Sequence, residues 1–244
     1  MSTVSFGYNE GKRGVSANDA SLTVAAAHEL SSPLVLLRQL GLALSSEDIN
    51  DDERKLLSEQ LTLTSERALR LTTSLSMTSV NQQSLALEPI NPMSICQDVT
   101  RQLTPLFTAH GQKLTLKSRS RTPLLVGNRD VLKQILLSFG DNALYYGSEG
   151  YPIRMSIVSR GNSVRIGMRD YGPAVSTDVW QQVEDRVTRH AATPLATRPH
   201  ASVVGLIAAK RLAGLMGGVI GITRHRDGAT FFVDLKISGQ MSLL

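Results

Sequence analysis

From about residue 19 to residue 80 the apolar positions follow a helical period. Leu30, Leu34, Leu37, Gly41 and Leu44 recur at spacings of four and three, which is one stripe of a helix. The polar, acid-rich segment 45–53, SSEDINDDE, interrupts the stripe and offers Asp or Ser to cap a second helix. Leu57, Leu61, Thr64, Ala68, Leu71 and Leu75 then repeat with steps of 4, 3, 4, 3 and 4, a heptad-like run. The pattern predicts two antiparallel helices packed as a hairpin. Two helices alone bury little apolar surface, so a dimer completing a four-helix bundle is expected. Residues 1–18 are polar, contain Gly and Ser and show no period, which predicts a flexible tail.

Beyond about residue 85 the character changes. LEPINPMS (87–94) has two prolines and reads as a linker or the opening of a strand. Residues 96–111 predict a helix stopped by Gly111, and residues 129–147 a second one. KLTLKS and PLLVGN predict short strands. Residues 154–172 alternate on both sides of Arg160-Gly161-Asn162, the pattern of a β-hairpin. Residues 205–218 predict a helix ending on glycines, and 219–237 another hairpin. Helices interleaved with hairpin strands describe an α+β sandwich. The expected division is a tail (1–18), a helical dimerisation domain (19–82) and a sandwich domain (83–244).

Composition narrows the function. The 244 residues are 41% hydrophobic and 19% charged, enough for a real core. One cysteine, Cys96, excludes an internal disulfide and any Cys-rich metal site. The start carries no signal pattern and no apolar run approaches the roughly 20 residues that cross a bilayer, so a soluble cytoplasmic protein is expected. Net charge is +5, yet residues 19–80 carry five Lys/Arg against nine Asp/Glu. The positive excess lies in residues 81–244, spread out and not gathered into one stripe. That distribution suits a polyphosphate ligand and gives no particular support to direct nucleic-acid binding.

Four places carry candidate chemistry. His28 stands about 200° round the helix from the apolar stripe, so it is expected to face solvent. With Glu29 beside it as a proton acceptor and Pro33 a turn later, it is a candidate nucleophile. Asn142 lies inside a predicted helix, an unfavourable place for that residue and a useful one for a metal or phosphate ligand. Asp170, in Asp170-Tyr171-Gly172, ends a hairpin strand with a carboxylate able to accept a hydrogen bond from an exocyclic amine. Gly205 opens a helix, where backbone N–H groups favour anions. Singly, each has a bland alternative: a surface histidine, a solvent-facing amide, a common D-x-G turn. Their order along the chain, with a helix between each, is what gives them weight.

The residues around these four resemble the boxes of two-component sensor histidine kinases. AAA-His28-Glu29-Leu30-Ser31-Ser32-Pro33-Leu34 is similar to the phosphoacceptor box, and QILLSFGD-Asn142-ALY-Tyr146 to the N box. Arg169-Asp170-Tyr171-Gly172-Pro173 resembles the first glycine box and Val204-Gly205-Leu206-IAAKRLAGLMGG the second. DGATFFVDL resembles the closing strand of the same ATP-binding domain. The resemblance spans roughly residues 20–237. It implies a helical hairpin that dimerises and displays His28, followed by a GHKL-type α/β sandwich that binds ATP. It further implies that His28 takes the γ-phosphoryl group while Glu29 orients the imidazole or accepts its proton. Asn142 would hold Mg²⁺, Asp170 would read the adenine amino group, and Gly172 would let the base approach the backbone. Tyr146 would stack on the base and Gly205 would allow close packing on the phosphate side. The phosphoryl group would pass to a response-regulator aspartate, with sensing supplied by a separate protein or by the N-terminal tail.

The chain also departs from the family pattern. Ser138 stands where the N box usually begins with asparagine, and Tyr145 where a basic residue is usual. Ala174 replaces a second glycine of the first box, and Ser202 or Val203 and Val204 replace two glycines of the second. β-Branched residues oppose a positive φ. Arg186, Arg189, His190, Arg198 and His200, between the boxes, are candidate phosphate contacts. Ser32 stands where many relatives carry Thr or Asn to position water for dephosphorylation. These losses keep a second reading open: an ATP-independent histidine phosphotransferase, or an adaptor that holds a response regulator. A third, an ATPase of the gyrase and chaperone kind, needs a glutamate where Ser138 stands and leaves the His box unexplained.

Overall fold

A computed structural model describes residues 2–6, 15–78, 85–118, 122–148, 150–172 and 203–239. Two long helices, α1 (Val15–Leu44) and α2 (Asp51–Thr78), pack against each other along the hairpin. The turn between them is fixed by Asn50, not by the Asp or Ser expected from sequence. Glu53 N–H donates to Asn50 Oδ1 at 2.8 Å and Asn50 N–H donates back to Glu53 Oε2 at 3.1 Å, a reciprocal capping box. Asp51, Asp52 and Glu53 add negative charge where the helix dipole is positive. Arg54 Nη1 reaches the Leu44 carbonyl at 3.3 Å and closes the turn onto the end of α1.

The inner stripe of α2 is the expected one: Ala68 and Leu71 are buried and Leu57, Leu61 and Thr64 half-buried. On α1 the expected Leu30, Leu37, Gly41 and Leu44 are half-buried, and the fully buried positions are Pro33 and Leu40. Leu34, expected in the seam, is 55% exposed. The cause is that α1 is apolar on more than one side over residues 33–37, so spacing alone admits two registers. Val35, Leu42, Leu56 and Leu69 are also exposed.

The rest of the chain builds a layer of helices on a mixed sheet. Strand β2 (Glu88–Ile90) pairs with β4 (Leu125–Gly127) as a small separate ladder. Helix α3 (Pro92–Ala109) starts earlier than expected, because Asn91 caps it and Pro92 sits in its first turn. It buries Ile95, Cys96, Val99, Leu103, Leu106 and Phe107 at spacings of three and four. Cys96 is fully enclosed, and burial pushes its thiol up to about 12, so it stays protonated and unreactive near neutral pH. Helix α4 (Arg129–Tyr146) and helix α5 (Val203–Leu215) pack on each other.

The main sheet contains β1 (Ser2–Phe6), β3 (Leu114–Ser118), β5 (Ile153–Arg160), β6 (Ser163–Arg169), β7 (Val219–His225) and β8 (Gly228–Lys236), in the order β1-β7-β8-β6-β5-β3. All neighbours are antiparallel except β3 and β5. The period-two alternation decides which face is inward: Met155 pairs with Met168, Met168 with Phe231, and Ile166 with Val233, all within the core. Residues 2–6, expected as part of a flexible tail, instead form the edge strand β1 against β7. Alternating Val4 and Phe6 are enough for a strand once an unpaired edge is available; five residues give no period legible on their own. Among the described residues no helix is long and apolar enough to cross a membrane.

Candidate functional site

The site is built where α4, the end of β6 and the start of α5 meet. α4 packs on β6 and on α5, which brings the elements carrying Asn142, Asp170 and Gly205 together. Both ends of α4 are fixed by side chains. Asn128 Oδ1 accepts from the backbone N–H of Asp130 and Val131, each at 3.1 Å, and Asn128 Nδ2 donates to the Ala86 carbonyl. At the other end Gln112 Nε2 donates to the Gly147 carbonyl at 3.0 Å. Gly147 must be glycine: a Cβ there would lie 2.8 Å from the Ala143 carbonyl and 2.9 Å from Gln112 Nε2.

Asn142 is 2% exposed, and its buried Nδ2 has no hydrogen-bond partner among the described residues. An unmatched amide inside a protein costs free energy unless something outside the chain completes it. Ser138, one turn earlier on α4, is buried as well.

Asp170 is 1% exposed and joined twice to the beginning of β8. Ala229 N–H donates to Asp170 Oδ1 at 2.8 Å, and Asp170 N–H donates to the Ala229 carbonyl at 2.9 Å. The contact is possible because residue 228 is glycine. Gly228 has φ +125°, and a Cβ on it would stand 2.5 Å from both the Asp170 carbonyl oxygen and Oδ1, and 2.9 Å from Gly172 N. Gly172 N–H reaches the Asp227 carbonyl at 3.3 Å, so the 227–229 turn grips residues 170–172 from both sides. Arg169 secures that turn, donating to Asp227 Oδ1 at 2.6 Å while its guanidinium lies 4.5 Å from the centre of the Tyr171 ring. His225, beside Arg169, has its pKa lowered by burial and then by that positive charge, which keeps it neutral at pH 7.

Gly205 is buried near the start of α5. His28 and Glu29 lie within α1, but their side chains fall outside the described residues, so the expected solvent-facing imidazole is neither met nor refuted. The same holds for the side chains of Tyr145 and Tyr146, at the end of α4. Ala174, Ser202 and the basic residues Arg186, Arg189, His190, Arg198 and His200 lie outside the described residues altogether.

Residues that sequence reasoning missed complete the picture. Gly228 appeared only within DGATFFVDL, the segment likened to a closing strand. Arg70 and Asp141 gave no signal at all, yet Arg70 Nε and Nη2 grip the Asp141 carboxylate at 2.8–3.1 Å. Beside this pair a cleft of about 420 Å³ opens, lined by residues of α2, α3 and α4 that include Glu66, Thr73, Gln102 and Lys133.

A buried carboxylate at a strand end and a buried amide on the neighbouring helix fit a nucleotide: the first offers an acceptor for an amine, the second suits a phosphate–metal assembly. Among the described residues no three His, Cys, Asp or Glu side chains could cage a metal on their own. Residues 127–239 match the family model described as histidine kinase-, DNA gyrase B- and HSP90-like ATPase. This stretch, which carries Asn142, Asp170 and Gly205, is similar to an ATPase domain of that family.

The wider chain is similar to sensor histidine kinases. It is 28% identical over 211 residues to the sensor protein kinase PmrB of Pseudomonas aeruginosa, covering 85% of this chain and 43% of that one. Its fold matches full-length ShkA in complex with AMPPNP, with TM-score 0.60 and 20% identity over 92% of this chain and 48% of the other. It also matches histidine kinase ThkA in complex with response regulator TrrA, with TM-score 0.60 and 17% identity over 88% and 61%. The chain spans less than half the length of PmrB.

At this site the glycine at 228 is predicted to be indispensable. Gly228→Ala should weaken nucleotide binding by about tenfold or more, because the added carbon displaces Asp170 or forces a strained backbone. Calorimetric titration with ATP, with circular dichroism to confirm folding, checks it. An unchanged affinity would mean that the turn does not set the carboxylate.

Proposed function

We propose that this chain is an ATP-dependent histidine kinase that phosphorylates its own His28 and passes the group to an aspartate of a response regulator. The observation that carries the reading is the Asp170 clamp: a fully enclosed carboxylate, fixed from β8, at the position that matches the family's adenine-reading residue. Burying a carboxylate is costly, and this one is held in place by the Ala229 N–H. The ATP-independent alternative would not need it.

In this reading adenine presents its amino group to Asp170, with Gly172 and the 227–229 turn shaping the floor. Asn142 would hold Mg²⁺, which when bound would supply charge neutralisation on the phosphate oxygens, and Gly205 leaves room for the phosphate side of the site. The neutral imidazole of His28 attacks the γ-phosphorus with its free lone pair. A nitrogen–phosphorus bond forms, the bond from that phosphorus to the β,γ-bridging oxygen breaks, and ADP leaves with the electron pair. Glu29 takes the proton released from the other ring nitrogen. Little covalent work falls to the protein; positioning and charge do most of it. The phosphoramidate then yields its group to a carboxylate of the regulator. The ThkA–TrrA complex supports a partner of that kind.

The chain acts as a dimer in this proposal. Val35 and Leu42, seven residues apart and so on one side of α1, are 55% and 64% exposed, and Leu56 and Leu69 on α2 are similarly bare. A second hairpin covers such surface in a four-helix bundle. The predicted consequence is that Leu42→Glu shifts sedimentation from dimer towards monomer at micromolar concentration. A wild-type chain sedimenting only as a 26.5 kDa species would contradict the bundle.

Incubation with γ-labelled ATP should give a label that is acid-labile, base-stable, absent in His28→Ala and strongly reduced in Asn142→Ala. A chain that binds no ATP at millimolar concentration, or a label undiminished in Asn142→Ala, would overturn the catalytic reading or the metal-ligand role respectively.

A further inference from the structure

We infer that Arg70 is a positioning residue for phosphoryl transfer. It seats the ATP-binding domain on its own hairpin at the level of His28, through an ion pair with the residue next to Asn142. This rests on the proposed kinase activity and adds the device that registers its two halves.

The joint is specific and nearly dry. Arg70 donates from Nε and Nη2 to Asp141, with side-chain exposures of 10% and 12%, and its remaining Nη1 lies 3.6 Å from Glu66 one turn away. A planar guanidinium facing a carboxylate fixes orientation as well as distance, which a lysine does not. A second contact reinforces it: Gln134 Nε2 on α4 donates to Ser74 Oγ at 2.7 Å and to the Arg70 carbonyl at 3.1 Å. Gln134 and Asp141 are seven residues apart, two turns along one face of α4, and both reach α2. The helix is therefore pinned along its length against the hairpin.

Position gives the pair its function. Asp141 and Asn142 are neighbours about 100° apart on α4, so the residue that grips the hairpin and the proposed metal ligand move as one rigid unit. His28 stands 16 residues before the end of α1 and Arg70 19 residues after the start of α2. At about 1.5 Å per residue the two lie within roughly one helical turn of the same height on the hairpin. The joint thus holds α4 beside the acceptor's level. A brake that kept the nucleotide away from the acceptor would be expected elsewhere along the helices. α5, which carries Gly205, also packs on both α1 and α2. All these contacts are within one chain.

Removing the pair should therefore slow transfer without weakening nucleotide binding. Arg70→Ala is expected to lower the autophosphorylation rate at saturating ATP by about tenfold or more, with ATP affinity by calorimetry within twofold of wild type. Arg70→Lys should rescue poorly, since it lacks the fork. The reversed pair, Arg70→Asp with Asp141→Arg, should recover most of the rate. Hydrogen exchange gives a readout that does not require activity: residues 134–141 and 70–74 should lose protection in Arg70→Ala and regain it in the reversed pair. An unchanged or increased rate in Arg70→Ala, a parallel loss of ATP affinity, or unaltered exchange protection would overturn the proposal. A wild type that exchanges as described but forms no phosphohistidine would refute the kinase reading and leave the joint standing.

Discussion

The pair of hydrogen bonds between Asp170 and Ala229 is the constraint on which the site depends. It ties the end of β6 to the beginning of β8 and fixes a carboxylate where solvent cannot reach it. Everything around it is arranged to keep that geometry. Gly228 bends at φ +125° to come within reach, Arg169 holds the turn through Asp227, and the register of β6 on β8 puts Arg169 opposite Thr230. The carboxylate is thereby held in one fixed position. The sheet's inward face, with Met168 against Phe231, supplies the rigidity, and the turn supplies the chemistry.

The second constraint lies between the hairpin and the sandwich. The proposed phosphoryl transfer asks for the nucleotide site and the acceptor to meet in a narrow geometry. Two separate domains joined only by a linker would meet the requirement rarely. The Arg70–Asp141 pair and the Gln134–Ser74 bond supply a register between them, as buried polar contacts do where packing alone permits several. Apolar surface on α2 and α4 would favour contact but not one seating.

The sequence disclosed the class of fold and the order of the candidate residues because both depend on local pattern. The alternation in 154–168 and 219–235 gave the strands, the heptad run of α2 gave its buried stripe, and Asn142, Asp170 and Gly205 fell on the elements expected. Finer features escaped for identifiable reasons. One position of the α1 seam passed from Leu34 to Pro33 because the two are neighbours in an apolar run. Asn50, not Asp or Ser, caps α2 because all three residue types crowd the same turn. Strand β1 is created by the free edge of β7. The Arg70–Asp141 pair joins residues 71 positions apart, and no local period carries such information. Gly228 carried no sign of its role, since its closeness to Asp170 exists only once β6 and β8 are paired.

The measurement that tests the central claim most directly is a comparison of ATP with inosine triphosphate in calorimetric titrations of the wild-type chain. The two differ where the purine carries an amine or a carbonyl oxygen. If Asp170 reads that amine, inosine triphosphate must bind at least about tenfold more weakly, because two acceptors then face each other in a buried site. Equal affinities would show that Asp170 does not recognise the base, and the account of the site would fall with it.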